Sequence, residues 1–206
     1  MNIQYFHEPF PYIIVDDMYT EKELDDLWLE MDYLNDDRRL TPSSIDKGAA
    51  WQEGDNGEKI ELKFNFCQYL DEFFSEREFS TILDITEKLF VNDREIMTNH
   101  GHWHFGCENI DRHSTQLVYY ENGNEYKGHR DHAVTTALTW FYRQPKKFTG
   151  GNLHFPDYDI NVELLNNRVL IFPSVIQHAV TPVIMDEQYR GKKYGRYCIS
   201  QFLRVS

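Results

Sequence analysis

The sequence predicts an α+β protein, with helices in its first half and antiparallel strands filling its second. Three observations carry that reading. Apolar residues recur at helical spacing only before about residue 95. Beyond about residue 96, short runs rich in Thr, Val, Ile and aromatic residues are punctuated by Asn, Gly and Pro. No internal repeat or Gly/Ser linker divides the chain. One domain over 1–206 is therefore expected, with 1–95 mainly helical support and a long loop, and 96–206 a β core.

Tyr12 to Val15 is β-prone and stops at Asp16-Asp17, after which Thr20 can cap a helix carrying Leu24, Leu27, Trp28 and Met31 on one face. Asn35 to Gly57 holds Pro42, Gly48, Gly54 and Gly57 among charges and reads as a long surface loop suited to covering a substrate. From Phe66 to Phe90 the apolar spacing predicts two further helices. The expected strands are Gln116–Tyr120, Val134–Tyr142, Asn152–Phe155, Val169–Phe172, Gln177–Val183 and Tyr197–Leu203, with turns at Asn122-Gly123, Gly150-Gly151 and Asn166-Asn167.

The 206 residues carry 21 basic and 34 acidic side chains, a formal charge of −13, which argues against a general polyanion binder and leaves nucleic acid an unexpected partner. The charge is unevenly placed. Residues 1–126 hold 10 basic and 28 acidic side chains, whereas 127–206 hold 11 and 6, so the second half is positive. Lys127, Arg130, Arg143, Lys146, Lys147, Arg190, Lys192 and Lys193 could ring a pocket there and steer an anion. No segment approaches the ~20 apolar residues of a membrane span, and the amino terminus has no basic leader, so a cytoplasmic protein without membrane association is expected. Cys67, Cys107 and Cys198 have no CxxC spacing and read as buried or idle thiols.

The chemistry-bearing residues are His129-Arg130-Asp131 at the start of a strand, and His178 47 residues beyond Asp131. His-x-Asp alone is a weak signal, and His178 alone reads as a core histidine. Together, on adjacent strands, His129, Asp131 and His178 make two imidazoles and one carboxylate on one face of an octahedron. That set suits non-haem Fe(II) with open positions for a cosubstrate and oxygen. His100, His102 and His104 alternate as on a strand face, and with Cys107 could suggest a second metal. A half-buried strand or substrate-facing wall is the preferred reading.

The surrounding sequence resembles the Fe(II)- and 2-oxoglutarate-dependent oxygenases, in particular their prolyl-4-hydroxylase-like branch. The resemblance runs from about Gln116 to Leu203 through YYENGNEYKGHRDH, GGNLHF, NRVLIFPSVIQHAVTPV and GRYCISQFL, in that order, and YIIVDDMYTEKEL is similar to the group's strand-then-helix entry. It implies a double-stranded β-helix (jelly roll) core, His129, Asp131 and His178 as iron ligands and catalytic centre, and Arg196 as the partner of the distal 2-oxoglutarate carboxylate. Arg190, Lys192 and Lys193, in an apparent insertion over Met185 to Tyr194, are the substitutes for that role, but only Arg196 is followed by an alternating strand. Tyr120 or Tyr119 would contact the cosubstrate, and Thr139, beside Trp140, would line its pocket. Core packing is the alternative for these residues.

The implied activity is hydroxylation of an unactivated C–H bond, most simply of a peptidyl proline or other protein residue, consuming 2-oxoglutarate and O2 and giving succinate and CO2, with ascorbate as a possible support. Asp131 favours hydroxylation over halogenation. The same chemistry on a free amino acid, small molecule or nucleobase is the alternative, and a non-catalytic β-sandwich binding module a remote one.

Overall fold

Side chains alternate across a β-strand with period two, and here that alternation divides the core into two compartments. The computed structural model describes every residue except 37, 38, 92, 107–109, 111 and 206. In chain order the elements are β1 (Asn2–Phe6), β2 (Tyr12–Asp16), α1 (Glu21–Leu34), β3 (Thr41–Pro42), β4 (Trp51–Glu53), β5 (Lys59–Glu61), β6 (Lys63–Phe64), β7 (Phe66–Tyr69), α2 (Leu70–Phe73), α3 (Thr81–Glu87) and α4 (Glu95–Thr98). There follow β8 (Arg112–Tyr120), β9 (Glu125–His129), β10 (Thr135–Phe141), β11 (Phe148–Gly150), β12 (Leu153–Phe155), β13 (Ile160–Val162), β14 (Arg168–Pro173), β15 (His178–Val180), β16 (Val183–Met185) and β17 (Arg196–Arg204).

Two antiparallel sheets enclose the interior. The larger runs β1-β2-β14-β10-β17-β8-β7-β3 and the smaller β13-β12-β15-β9-β6, with β11-β16 and the hairpin β4-β5 as separate pairs. On the larger sheet Leu117, Tyr119, Ala137, Phe141, Val169, Ile171, Tyr197 and Ile199 face the helices and pack on Leu27, Met31 and Leu34 of α1. Their neighbours Val118, Tyr120, Leu138, Trp140, Leu170, Phe172 and Cys198 face the smaller sheet, meeting Leu153, Phe155 and Val180. Each fully buried large apolar side chain contributes roughly 1.5–3 kcal/mol, so register is strongly specified on both faces. A slip of one residue would exchange the two compartments.

Thr20 caps α1 as expected, and Glu23 completes a reciprocal capping box. The first half is less helical than its spacing suggests. Phe66–Tyr69, expected in a helix, is strand β7, because β8 offers a free edge and Phe66 and Cys67 pair with Tyr119 and Val118. The helix after it is one turn long. The Asn35–Gly57 segment is partly structured: Thr41–Pro42 joins the larger sheet and Trp51–Glu53 forms a hairpin with Lys59–Glu61, while residues 37 and 38 lie outside the described part. His100 to His104 forms turns, not a strand face. His100 Nε2 meets the Phe6 carbonyl and His104 Nε2 meets Thr135 Oγ1. Cys107, the thiol considered with them, lies outside the described residues; Cys67 and Cys198 are buried and free. No described helix is long and apolar enough to cross a membrane.

Candidate active site

The chain brings His129, Asp131 and His178 together although 47 residues separate the last two. β9 and β15 are antiparallel neighbours, and His129 and His178 are register partners. Their rings lie 4.2 Å apart between centroids. His129 Nε2 is 3.6 Å from Asp131 Oδ1 and His178 Nε2 is 3.4 Å from Asp131 Oδ2. One donor atom from each residue falls within 4.8 Å of the others, and no other such group occurs among the described residues.

The remaining polar atoms of these side chains are committed in ways that suit a cation. His129 Nδ1 lies 2.9 Å from the Lys127 carbonyl and His178 Nδ1 lies 3.0 Å from the Ile176 carbonyl. A carbonyl can only accept, so Nδ1 donates in both rings and Nε2 is the nitrogen left facing the triad centre. Asp131 receives Thr136 Oγ1 on Oδ2 at 2.7 Å, and its N–H donates to the Ser174 carbonyl. Thr136 is in turn 2.7 Å from Ser174 Oγ. Thr136 and Ser174 were not legible as site residues, since each is one hydroxyl in a β-prone run.

Burial pushes the Asp131 carboxyl up, but the two histidines beside it outweigh that and hold it well below the usual carboxylate range. Burial and the neighbouring His178 lower the His129 imidazole. Both directions leave a carboxylate and a neutral ring, the forms that ligate a divalent ion. The donor set of two imidazole nitrogens and one carboxylate fits ferrous iron.

The triad opens on a cavity of about 810 Å³, large enough for two small ligands or a ligand and a substrate side chain. Ala49, Ala50, Trp51 and Gln52, at and before the β4-β5 hairpin, form one wall. Arg196 enters from β17. It is 1% exposed, and none of its three guanidinium nitrogens has a hydrogen-bond partner. Its Cζ sits 4.6 Å from the centroid of Tyr120 and 5.9 Å from that of Trp140.

Not every expected pocket residue reaches the cavity. Tyr120 lines it, but Tyr119 is turned by the pleat to the helix side, where its hydroxyl donates to Glu121 and accepts from the Gly195 N–H. Thr139 is corrected for the same reason: its parity puts it on the helix face, with Val169 and Ile199 as register partners. Of the eight basic residues expected around the pocket, only Arg130 lines it. Arg143 pairs with Asp32 and Lys193 with Asp36, while Lys146 lies over Tyr142 and Phe148 and Lys147 over Tyr189. The cavity takes its positive charge from Lys63, Arg130, Arg196 and Arg204 instead. Lys63 was missed because it stands among charges in a segment with no motif.

Residues 115–204 match the sequence profile of the 2OG-Fe(II) oxygenase superfamily, while no individual curated protein matches the chain. Among solved structures, the chain is similar to a Pseudomonas putida prolyl-4-hydroxylase, with 14% identity, TM-score 0.63, and coverage of 95% of this chain and 92% of that one. It is also similar to a Trichoplax adhaerens prolyl hydroxylase in complex with a hypoxia inducible factor oxygen degradation domain peptide fragment (12% identity, TM-score 0.62, 94% and 83% covered). A viral collagen prolyl hydroxylase from Paramecium Bursaria Chlorella virus-1 has 16% identity and TM-score 0.56, with 95% and 96% covered. At these identities the likeness is one of fold.

Proposed function

We propose that this chain, whose residues 115–204 belong to the 2OG-Fe(II) oxygenase superfamily, hydroxylates an unactivated C–H bond of a protein residue, with peptidyl proline the first candidate. His129, Asp131 and His178 would hold the iron, and Arg196 the distal carboxylate of 2-oxoglutarate beside Tyr120. The single observation that carries the reading is Arg196: a fully buried guanidinium with every nitrogen unpartnered, facing the same cavity as the triad. Such a group is costly to bury alone and matches a carboxylate with two parallel hydrogen bonds. Three solved structures similar in fold are prolyl hydroxylases, and one of these is in complex with a peptide fragment, which supports the peptidyl substrate.

Fe(II) and 2-oxoglutarate supply the oxidising chemistry, turning 2-oxoglutarate and O2 into succinate and CO2 while one oxygen atom enters the substrate C–H bond. The chain's own residues orient and shield. Lys127 and Ile176 fix the two imidazoles through their carbonyls, and Thr136 fixes Asp131. Leu138, Leu153, Val118 and Val180 line the cavity with apolar surface that limits water around the reacting centre.

The test is to add Fe(II) and 2-oxoglutarate anaerobically with ascorbate, follow the weak visible charge-transfer band of the chelate, then admit O2 and measure succinate. Band and succinate are expected from the wild type and neither from His129→Ala. Their absence in folded wild-type protein would sink the reading. A mass-spectrometric search of lysate proteins for the gain of one oxygen atom addresses the substrate, and product on free proline alone would overturn the peptidyl assignment.

A further inference from the structure

The cavity walls carry more positive charge than iron and 2-oxoglutarate account for. Among the described residues lining the cavity are four cations, Lys63, Arg130, Arg196 and Arg204, and one carboxylate, Asp131. Arg130 and Arg204 stand at the rim, where Arg130 reaches Asp157 and the Val175 carbonyl and Arg204 donates to the His132 carbonyl. Lys63 has no such outlet. It is 7% exposed, and its ammonium donates to Gln116 Oε1 at 2.8 Å. Burial lowers its pKa, and the Cys67 thiol, the Asp131 carboxylate, the Cys198 thiol and the ring face of Tyr126 make up its surroundings. An ammonium has three donors; Gln116 takes one, and the Asp131 carboxylate acts on it electrostatically without a direct ion pair among the described residues.

Position separates Lys63 from Arg196. Arg196 is the register partner of Tyr120 on β8. Gln116, which holds Lys63, lies four residues earlier on that strand, roughly 13 Å away at the rise of a β-strand. Lys63 itself pairs with Tyr126 on β9, whose ring stacks on His129 at 3.4 Å. The two buried cations are thus held from different strand positions on the cavity wall, with the Cys198 side chain within electrostatic reach of both.

Formal charge gives the same answer. A ferrous ion, the Asp131 carboxylate, dianionic 2-oxoglutarate and the Arg196 guanidinium sum to zero, and the charge left over inside the cavity is that of Lys63. We infer that Lys63, held by Gln116, recognises a carboxylate on the primary substrate, so that the hydroxylated residue is itself acidic or adjoins an acidic residue. This inference rests on the proposed cosubstrate role of Arg196.

The Lys63–Gln116 bond also ties β6 of the smaller sheet to β8 of the larger, so the test must separate recognition from bracing. The probes are a peptide pool, acetyl-Gly-Glu-X-Glu-Gly-amide with X all twenty residues, its Gln-for-Glu isostere, and the N-acetyl amino acids as free acids and as amides. Binding is measured on protein loaded with Mn(II) and 2-oxoglutarate. The wild type is expected to prefer acid over amide probes by about tenfold or more, the scale of a charge-assisted hydrogen bond. Lys63→Met and Gln116→Glu, the latter supplying the carboxylate from within, should abolish that preference, and Lys63→Arg should restore part of it. Affinity for 2-oxoglutarate should stay within about twofold throughout.

Preference confined to the peptide acids, or to the free acids, identifies the carrier of the carboxylate, and either supports the inference. Equal binding of acid and amide probes overturns it. So does a Lys63→Met protein that loses 2-oxoglutarate or its thermal stability while keeping the acid preference. If wild-type protein fails to bind 2-oxoglutarate at all, the cosubstrate reading falls first and this inference with it.

Discussion

Arg196 and Tyr120 are register partners on β17 and β8, and the guanidinium carbon lies 4.6 Å from the tyrosine ring centroid. The ring gives the cation a face to rest on, but a cation–π contact leaves every N–H donor free. The pair is thus a charged fork stored inside the protein with its N–H donors turned to no protein partner among the described residues.

Two opposite effects are expected on replacing Arg196 with Met. Removing a buried, unpaired charge should raise the melting temperature of the ligand-free protein, since apolar replacement of buried charge is often neutral or stabilising. Two charge-assisted hydrogen bonds are worth about 3–6 kcal/mol together, so 2-oxoglutarate affinity should fall roughly 10²- to 10⁴-fold. Thermal shift with and without 2-oxoglutarate and Mn(II) reads both. An undiminished ligand-induced shift would remove Arg196 from the cosubstrate site.

Thr136 donates to Asp131 Oδ2 at 2.7 Å and does not itself line the cavity. Thr136→Val keeps the shape and deletes the hydroxyl. Loss of a hydrogen bond that orients a metal ligand typically costs 10- to 100-fold in affinity. Titration with Mn(II) or Co(II) should show that loss with a nearly unchanged far-ultraviolet spectrum, whereas Ser174→Ala, one hydrogen bond further out, should cost less. Equal metal affinity in the wild type and Thr136→Val would show that Asp131 needs no outside support.

Gly150 and Gly151 both have positive φ, 72° and 71°, and act on different parts of the molecule. A methyl at Gly150 would lie 2.0 Å from the Pro182 carbonyl oxygen, in the β11-β16 pair, while one at Gly151 would lie 3.0 Å from Arg196 Cδ. Gly150→Ala should therefore lower the melting temperature strongly, by more than the ~1 kcal/mol of the dihedral strain alone. Gly151→Ala should add a measurable loss of 2-oxoglutarate affinity at temperatures where it is folded. Isothermal titration of the two variants separates these effects, and matching affinities would disconnect the turn from Arg196.

The metal motif was legible because the residue types, their order and the strand pattern around them are all local, and the pairing of β9 with β15 does the rest. The position of Arg196 on the cavity wall was legible because an alternating strand begins at it. Tyr119 against Tyr120, and Thr139 against its neighbours, turned on strand parity. Parity is set by long-range register and is ambiguous in runs such as Thr135–Phe141, where every position is buried. Lys63 could not be found from sequence, since its meaning comes from packing across a gap to Gln116, 53 residues away. The helical reading of Phe66–Tyr69 failed in the same way, through a vacant sheet edge that no window of local sequence contains.

Two buried histidines, His100 and His104, and the half-buried His113, all away from the triad, predict the acid side of the stability profile. Burial lowers the imidazoles of His100, His104 and His113 below the ordinary value near 6.5. His7 and His102 add to the effect at His100, His102 at His104, and Arg77 at His113, where Asp71 and Glu87 act the other way. The unfolded chain therefore binds more protons than the folded one just below pH 6.5, and stability rises with pH in that window. The contribution is complete above about pH 6.5 and is progressively lost as pH falls below it. Carboxylates titrate mostly near pH 4, so relief of the −13 net charge comes too late to mask the decline between pH 6.5 and 5.5. Melting temperature should fall over that interval at constant ionic strength, and His104→Gln, which keeps a partner for Thr135, should flatten the slope. A profile that is level or rises on acidification, or one that His104→Gln leaves unchanged, would count against these histidines as the source.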